Sequence, residues 1–295
     1  MTARTARNAA SIAATAFAAL SVGVIGLSEV RLDRRYATPS ASLAVRADPE
    51  TVVRGRHVGD HIAQCSFCHG DDLAGKPAAD DPWLGRLWAP NLTPGRGGLP
   101  RDYRDEDLAR AIRNGVGRDG RSLRLMPSDQ LRAMSEADLS AVIAWVRSAP
   151  PVAAERPASF AGPLTRLVLA AGLAPELLPA ERIDHDAPPP PAPAPDPTPA
   201  YGEYLVGIGI CRVCHRDDLG GGAHPLSLPD EPPPPDLTIS GSLGGWSEAD
   251  FLQTLRSGAT PDGRPLDPVY MPWPRYAQMS ETELRAVWAY LRTLP

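Results

Sequence analysis

The chain has 295 residues, room for two domains, with an ordinary apolar share of 43% and a net charge of −5. That acidic balance excludes the basic footprint of a nucleic-acid binder. Its 34 prolines are about twice the usual share of roughly 5%, and its four cysteines all sit in two Cys-x-x-Cys-His motifs, leaving none for a disulfide framework.

Residues 1–35 hold the first predicted element. Ala9 to Leu27 carries no charge, with Arg4 and Arg7 before it and Glu29, Arg31, Asp33, Arg34 and Arg35 after it. As a helix this stretch is just long enough to span a bilayer. An uncleaved membrane anchor is the leading expectation. A signal peptide cut before Glu29, with Gly26 and Ser28 as the small residues, is the rival. A buried soluble helix comes third. The two leading readings both export the rest of the chain.

The remainder contains an internal repeat. His69 answers His215, Pro90-Asn91-Leu92-Thr93 answers Pro235-Asp236-Leu237-Thr238, and Met126-Pro127 answers Met271-Pro272, all at an offset of about 145 residues. "MSEADLSAVIAWVRSAP" ends the first unit and "MSETELRAVWAYLRTLP" ends the second. The units therefore cover 51–150 and 200–295, with 151–199 between them.

Each unit reads as helical, and no convincing alternating strand appears. A helix leads into Cys65 and carries His57 and His61 at i,i+4. Asp105 is placed to cap a helix through Leu108 and Ile112 that stops near Gly115. Ser135 with Asp138 is a capping signal ahead of Leu139, Val142, Ile143 and Val146 on one face. Between the units, Leu164 to Leu173 is apolar but too short to span a membrane. It is expected to be a strut packed on the units, with a membrane-surface or partner-docking helix as the alternative. "APPPPAPAPDPTP" (187–199) is a stiff polyproline linker. In the second unit Ser247 and Asp250 precede Phe251, Leu252 and Leu255, with Gly258 as the stop. Ser280 with Glu283 then precedes Leu284, Val287, Trp288 and Leu291. The expected fold class is all-α. Units this small struggle to bury enough apolar surface alone, and a large apolar cofactor at the centre of each would remove that difficulty.

The chemistry lies in "CSFCH" (65–69) and "CRVCH" (211–215). Cys-x-x-Cys-His is the spacing of c-type haem attachment: two thiols on one helical turn reach two vinyl groups, and the histidine ligates the iron. Zinc would want paired motifs supplying four ligands together, and a thioredoxin-like redox pair would want a βαβ setting. Neither is present. The expected cofactors are two covalently bound haem c groups, on Cys65, Cys68 and His69 and on Cys211, Cys214 and His215. For the sixth iron ligands, Met134 and Met279 begin capped helices and read as core. Met126 and Met271 sit in loops before proline and read as axial thioethers. Weaker candidates are Arg113 with Arg256 and Tyr103 with Trp246, at matching places, for haem propionates. His57 with His61 is a minor candidate for a metal clasp. His185 and His224 have no counterpart in the repeat and are assigned nothing.

The run Cys-x-x-Cys-His-Gly-x-x-Leu-x-Gly, then Pro-Asn-Leu-Thr-Pro, Arg-Asn-Gly, Asp-Gly-Arg, Met-Pro and a last helix ending "WVRSAP" resembles class I cytochrome c. The tandem arrangement resembles membrane-associated di-haem cytochromes and the cytochrome subunits of bacterial periplasmic dehydrogenases. Those subunits usually carry three haems, and this chain has two motifs. The resemblance implies a proline carbonyl on the ring N–H of each proximal histidine, at Pro90 and Pro235. Arg216 departs from the family, standing where the first unit has Gly70.

With both irons six-coordinate there is no open position for substrate, so an electron carrier is expected rather than an enzyme. It would sit on the periplasmic side of the bacterial inner membrane, anchored through Ala9–Leu27 or released there after signal cleavage. Its partners would be redox proteins: a dehydrogenase or quinol-oxidising complex upstream, and another cytochrome or an oxidase downstream. A di-haem subunit of a terminal oxidase is the alternative. A di-haem peroxidase-type enzyme is the more distant one, since it needs a displaceable sixth ligand.

Overall fold

The computed structural model describes residues 3–39, 43–188, 190–223 and 232–295, so His224 lies outside the described residues. Helix α1 (Ala3–Leu32) is exposed over residues 11–20 and packs on the rest of the chain through its last turns, around the buried Ser28, and its segment Ser11–Leu32 is long and apolar enough to cross a membrane. The first half then runs α2 (Pro49–Arg56), a π-helical turn His57–Ile62, α3 (Cys65–His69), α4 (Asp105–Asn114), α5 (Ser128–Leu131) and α6 (Glu136–Ser148). After α7 (Pro163–Ala171), the second half repeats the order with α8 (Pro199–Ile208), α9 (Cys211–His215), α10 (Glu248–Ser257), α11 (Trp273–Tyr276) and α12 (Glu281–Leu291).

In each half the first and last helices cross closely, and a glycine sets the distance. A Cβ on Gly55 of α2 would lie 1.8 Å from the Ala141 carbonyl oxygen of α6, and one on Gly202 of α8 would lie 1.9 Å from that of Ala286 in α12. Only a residue without a side chain fits either crossing. Behind these crossings the apolar faces named by the periodicity close over one another. Leu139, Ile143 and Leu284 are fully buried, each worth about 1.5–3 kcal/mol of transfer free energy.

The predicted caps form. Ser135 Oγ accepts from the Asp138 N–H at 3.0 Å, and Ser247 with Asp250 and Ser280 with Glu283 build reciprocal boxes. Gly115 and Gly258 end α4 and α10 at φ +63° and +69°. The cap of α4 differs from expectation. Asp105 is the first helical residue, and Asp107 accepts from the Arg104 N–H at 2.9 Å.

One element was not expected from the sequence. β1 (Pro77–Asp81), β2 (Gly85–Trp88) and β3 (Phe160–Ala161) make a small antiparallel sheet in the order β1-β2-β3 on the otherwise helical body. Asp81 Oδ1 holds its turn by accepting from the N–H groups of Trp83 and Leu84 at 2.7 and 2.9 Å.

A strut forms at 174–185, packed chiefly on the first half and later in the chain than the expected run Leu164 to Leu173, where Leu164, Leu167 and Leu173 stay exposed. Ala174, Leu178, Pro179 and Ala180 are buried, and the Leu125 N–H donates to the Leu177 carbonyl at 3.2 Å. His185 is part of it, its ring hydrogen-bonded to Asn114 and to the Ala180 carbonyl.

The halves share one continuous core rather than hanging on the linker alone. The Tyr204 hydroxyl of α8 donates to Asp138 at the start of α6 and accepts from the Ser135 N–H at 3.1 Å. Arg182 of the strut reaches Asp129 at 3.0 Å and Asp217 at 3.3 Å, one acid in each half.

Candidate haem sites

The two Cys-x-x-Cys-His helices are built alike, residue by residue. Each begins after a residue forced to positive φ, Gln64 at 57° and Ile210 at 51°. Each ends where the chain reverses to bring the histidine backbone back: the His69 carbonyl accepts from Gly75 at 2.7 Å and the His215 carbonyl from Gly221 at 3.0 Å. Leu73 and Leu219 follow at φ +58° and +61°, and their carbonyls receive the N–H groups of Leu92 and Leu237. Those bonds lay the Pro90 and Pro235 segments beside the motifs.

The result is a fixed histidine. His69 Nδ1 lies 2.9 Å from the Pro90 carbonyl oxygen, and His215 Nδ1 lies 2.9 Å from that of Pro235. A carbonyl only accepts, so Nδ1 carries the proton and Nε2 keeps its lone pair. Burial pushes both imidazole pKa values down, against the proline bond, which keeps the rings neutral. Burial likewise pushes the thiols of Cys65 and Cys211 up to about 12, and that of Cys68 upward. Protonated thiols of this kind are poor thiolate nucleophiles, which speaks against a redox-active pair.

Around each motif lies an apolar rim that the protein leaves half covered. In the first half it includes Cys65, Leu92, Tyr103 and Met126, and in the second Cys211, Leu237, Trp246 and Met271, at matching positions against the core. Two thiols a turn apart, a neutral imidazole with its Nε2 free and a half-covered apolar rim fit a covalently held haem.

Met126 and Met271 occupy equivalent loops. Their carbonyls accept from Ser128 at 2.7 Å and from Trp273 at 2.6 Å. Met134 and Met279 are 1% and 4% exposed, filling the core as expected. Arg113 and Arg256 sit alike, each donating to a backbone carbonyl, of Met134 and of Ala277 respectively. His57 and His61 do not form a clasp either. His57 bonds Glu283, the two rings meet edge-on at 5.6 Å, and no group of three metal-ligating side chains occurs among the described residues.

Nothing in the sequence announces how the sites adjoin. Arg275, four residues after Met271, reaches Asp60 and Asp71, which flank the first Cys-x-x-Cys-His motif. A cleft between the halves is lined by Phe67 of that motif and Pro272 beside Met271, with His61 and Arg275.

Comparison with known proteins agrees with this geometry. Residues 52–146 match the family model described as cytochrome C oxidase, cbb3-type, subunit III, and residues 200–295 match that of cytochrome c. A subunit of the nicotinate dehydrogenase of Pseudomonas putida is 31% identical over 82% of the chain, which covers 21% of that protein. The fructose dehydrogenase cytochrome subunit of Gluconobacter japonicus is 24% identical over 88% of the chain and 56% of its own length. The cytochrome c subunit of the quinone alcohol dehydrogenase of Gluconobacter oxydans is 28% identical over 86% and 57%. The chain thus spans a fifth to somewhat over half of the relatives it matches. With matched sites in both halves and a cytochrome c model on each, the chain belongs to the cytochromes c and carries two such domains in tandem.

Proposed function

We propose that this chain is a di-haem electron-transfer subunit, anchored by α1 on the periplasmic side of a bacterial inner membrane. It receives single electrons from a dehydrogenase and passes them to a downstream cytochrome or oxidase. Cys65 with Cys68 and Cys211 with Cys214 would hold the two haems, and His69 with Met126 and His215 with Met271 would ligate their irons. When bound, the haems supply one-electron exchange. The protein fixes the neutral imidazoles, excludes water with its apolar rim and holds the sites side by side.

The observation that carries this reading is the equivalence of the two sites, down to the proline carbonyl on each histidine. With a histidine and a methionine committed to each iron, the chain would offer no position for substrate, and the haems would supply electron exchange alone. The dehydrogenase as donor is supported by relatives whose own names are cytochrome subunits of dehydrogenases. A terminal-oxidase subunit is the second reading, favoured by the cbb3-type model on residues 52–146.

The test is the haem content of the purified full chain, followed by its dithionite-reduced spectrum with and without carbon monoxide. Two haems per chain and no change with carbon monoxide support a six-coordinate carrier. One haem, or a shift on either, overturns the ligand assignment and brings back the peroxidase-type enzyme. Co-purification from native membranes then separates the donors: a dehydrogenase supports the first reading, an oxidase core the second.

A further inference from the structure

The helix α7 belongs to neither repeat, yet it is apolar nearly all round. Leu169 is buried at 1% exposure on one side, while Leu164 and Leu167 stand 43% and 50% exposed on the other, with Leu173 beyond the helix end at 68%. A helix apolar on both sides is normally covered on both. The exposed apolar surface also extends past the helix. The Leu164 N–H and Thr165 hydroxyl donate to the carbonyls of Trp83 and Leu84, tying the β1–β2 turn to the start of α7. Trp83 is 68% and Phe160 49% exposed, the latter with the Arg86 guanidinium 5.9 Å from its ring centre, so the surface beside α7 also carries large aromatic rings.

What covers the patch follows from where α7 is fastened. It packs on the last turns of α1, the segment long enough to cross a membrane. Arg166 of α7 donates to Ser28 at 3.0 Å and pairs with Glu29, while Arg31 reaches the Leu169 carbonyl and Glu181. Ser28, Glu29 and Arg31 lie at the end of that span, so α7 is held at the depth of the lipid headgroups. Its one charge is turned inward onto α1, and it has no acidic residue. Just past the span, Arg34 and Arg35 are exposed, and the Arg34 guanidinium lies 5.1 Å from the Tyr36 ring centre. Apolar side chains with a tryptophan at headgroup depth, and arginines beside them, match an anionic bilayer surface.

We propose that Trp83, Leu84, Phe160, Leu164 and Leu167 form a membrane-docking surface, which seats the first cytochrome domain on the bilayer beside its own anchor. The proposal rests on the anchored reading of α1. Docking fixes the height and tilt of the first site, which a single flexible anchor would leave free.

The test uses the full haem-loaded chain in vesicles of phosphatidylethanolamine and phosphatidylglycerol containing a phosphatidylglycerol with a photoactivatable acyl chain. After illumination, labelled peptides are identified by mass spectrometry. The expected result is label on residues 82–85 and 160–173 as well as on α1, with most of the 160–173 label lost in the L164E/L167E double variant. Label on α1 alone overturns the docking surface. Label on the patch without α1 supports the surface and overturns the anchor, so the two failures are distinct. Protein–protein cross-links from the patch in place of lipid label assign it to a partner or a second copy and overturn the proposal. Unchanged haem spectra in the double variant establish that loss of label is not loss of fold.

Discussion

His57 Nε2 in the first half lies 2.9 Å from Glu283 Oε2 in the second, although nothing but the three-dimensional fold brings these residues together. Glu283 is 4% exposed and also accepts from the Ser280 N–H in the cap of α12. Burial acts to raise its pKa, but the bonds from His57 and Ser280 outweigh that and hold it below the usual glutamate value. Tyr201 also faces this group and itself interacts with Arg54. A carboxyl with a depressed folded pKa contributes stability above its unfolded pKa, and loses it as pH falls through the folded value. Stability is therefore expected to decline below about pH 4.5. Glu283→Gln keeps the cap, loses the charge and costs about 2 kcal/mol at pH 7. Thermal melts from pH 3 to 7 check this: the variant's curve should be flatter than the parent's in the acid range.

Arg275 bridges the Met271 loop of the second site to Asp60 and Asp71 around the first motif. Arg275→Ala is expected to loosen the contact between sites, lowering stability by about 1–2 kcal/mol and slowing electron transfer between haems several-fold. Lysine restores charge but not the two-carboxylate fork, so Arg275→Lys should recover only part of the rate. Pulse radiolysis with one haem reduced first measures it.

Arg216 takes φ +69° and ψ 167°, a conformation natural to the Gly70 it replaces and strained for any side chain. Such strain costs about 1–3 kcal/mol, partly offset by the extra freedom glycine has when unfolded. Arg216→Gly should stabilise the protein by roughly 1 kcal/mol, and Gly70→Ala should destabilise it by a similar amount. Denaturant midpoints of the haem-loaded variants decide the point.

Gly75 lies against the segment that serves His69: a Cβ there would be 2.4 Å from the Ala89 carbonyl oxygen. Gly75→Ala must push that segment away and weaken the Pro90 bond to the imidazole. A less basic histidine favours the reduced iron. The first site's midpoint potential should rise while the second stays put, with about 1–3 kcal/mol of stability lost. Redox titration followed at both haems is the measurement.

The parts visible in the sequence are those that depend on neighbours along the chain. Ser135, Ser247 and Ser280 announce their helices because a cap is a local hydrogen bond. Cys65 to His69 and Cys211 to His215 announce their chemistry because the spacing is the chemistry. The β1–β2 hairpin stayed hidden because "PAADDPWLGRLW" lacks an alternating face, and the turn is held by Asp81 rather than by glycine alone. Asp107, and not the expected Asp105, bonds back to the start of α4, and three acids in a row offer no local way to choose between them. The pairing of His57 with Glu283, and of Arg275 with two aspartates, depends on how the halves dock. No local pattern encodes that.

The strut has a consequence for how the two sites diverge. Leu125, next to Met126, is held by the Leu177 carbonyl, which belongs to neither repeat, whereas the matching Tyr270 is held by Asp267 within its own loop. Duplication alone would leave two sites that answer to the same kinds of change. The inserted segment gives one of them a separate handle: residues 174–185 can be altered to retune the first ligand loop while the second copy of the site keeps its original setting.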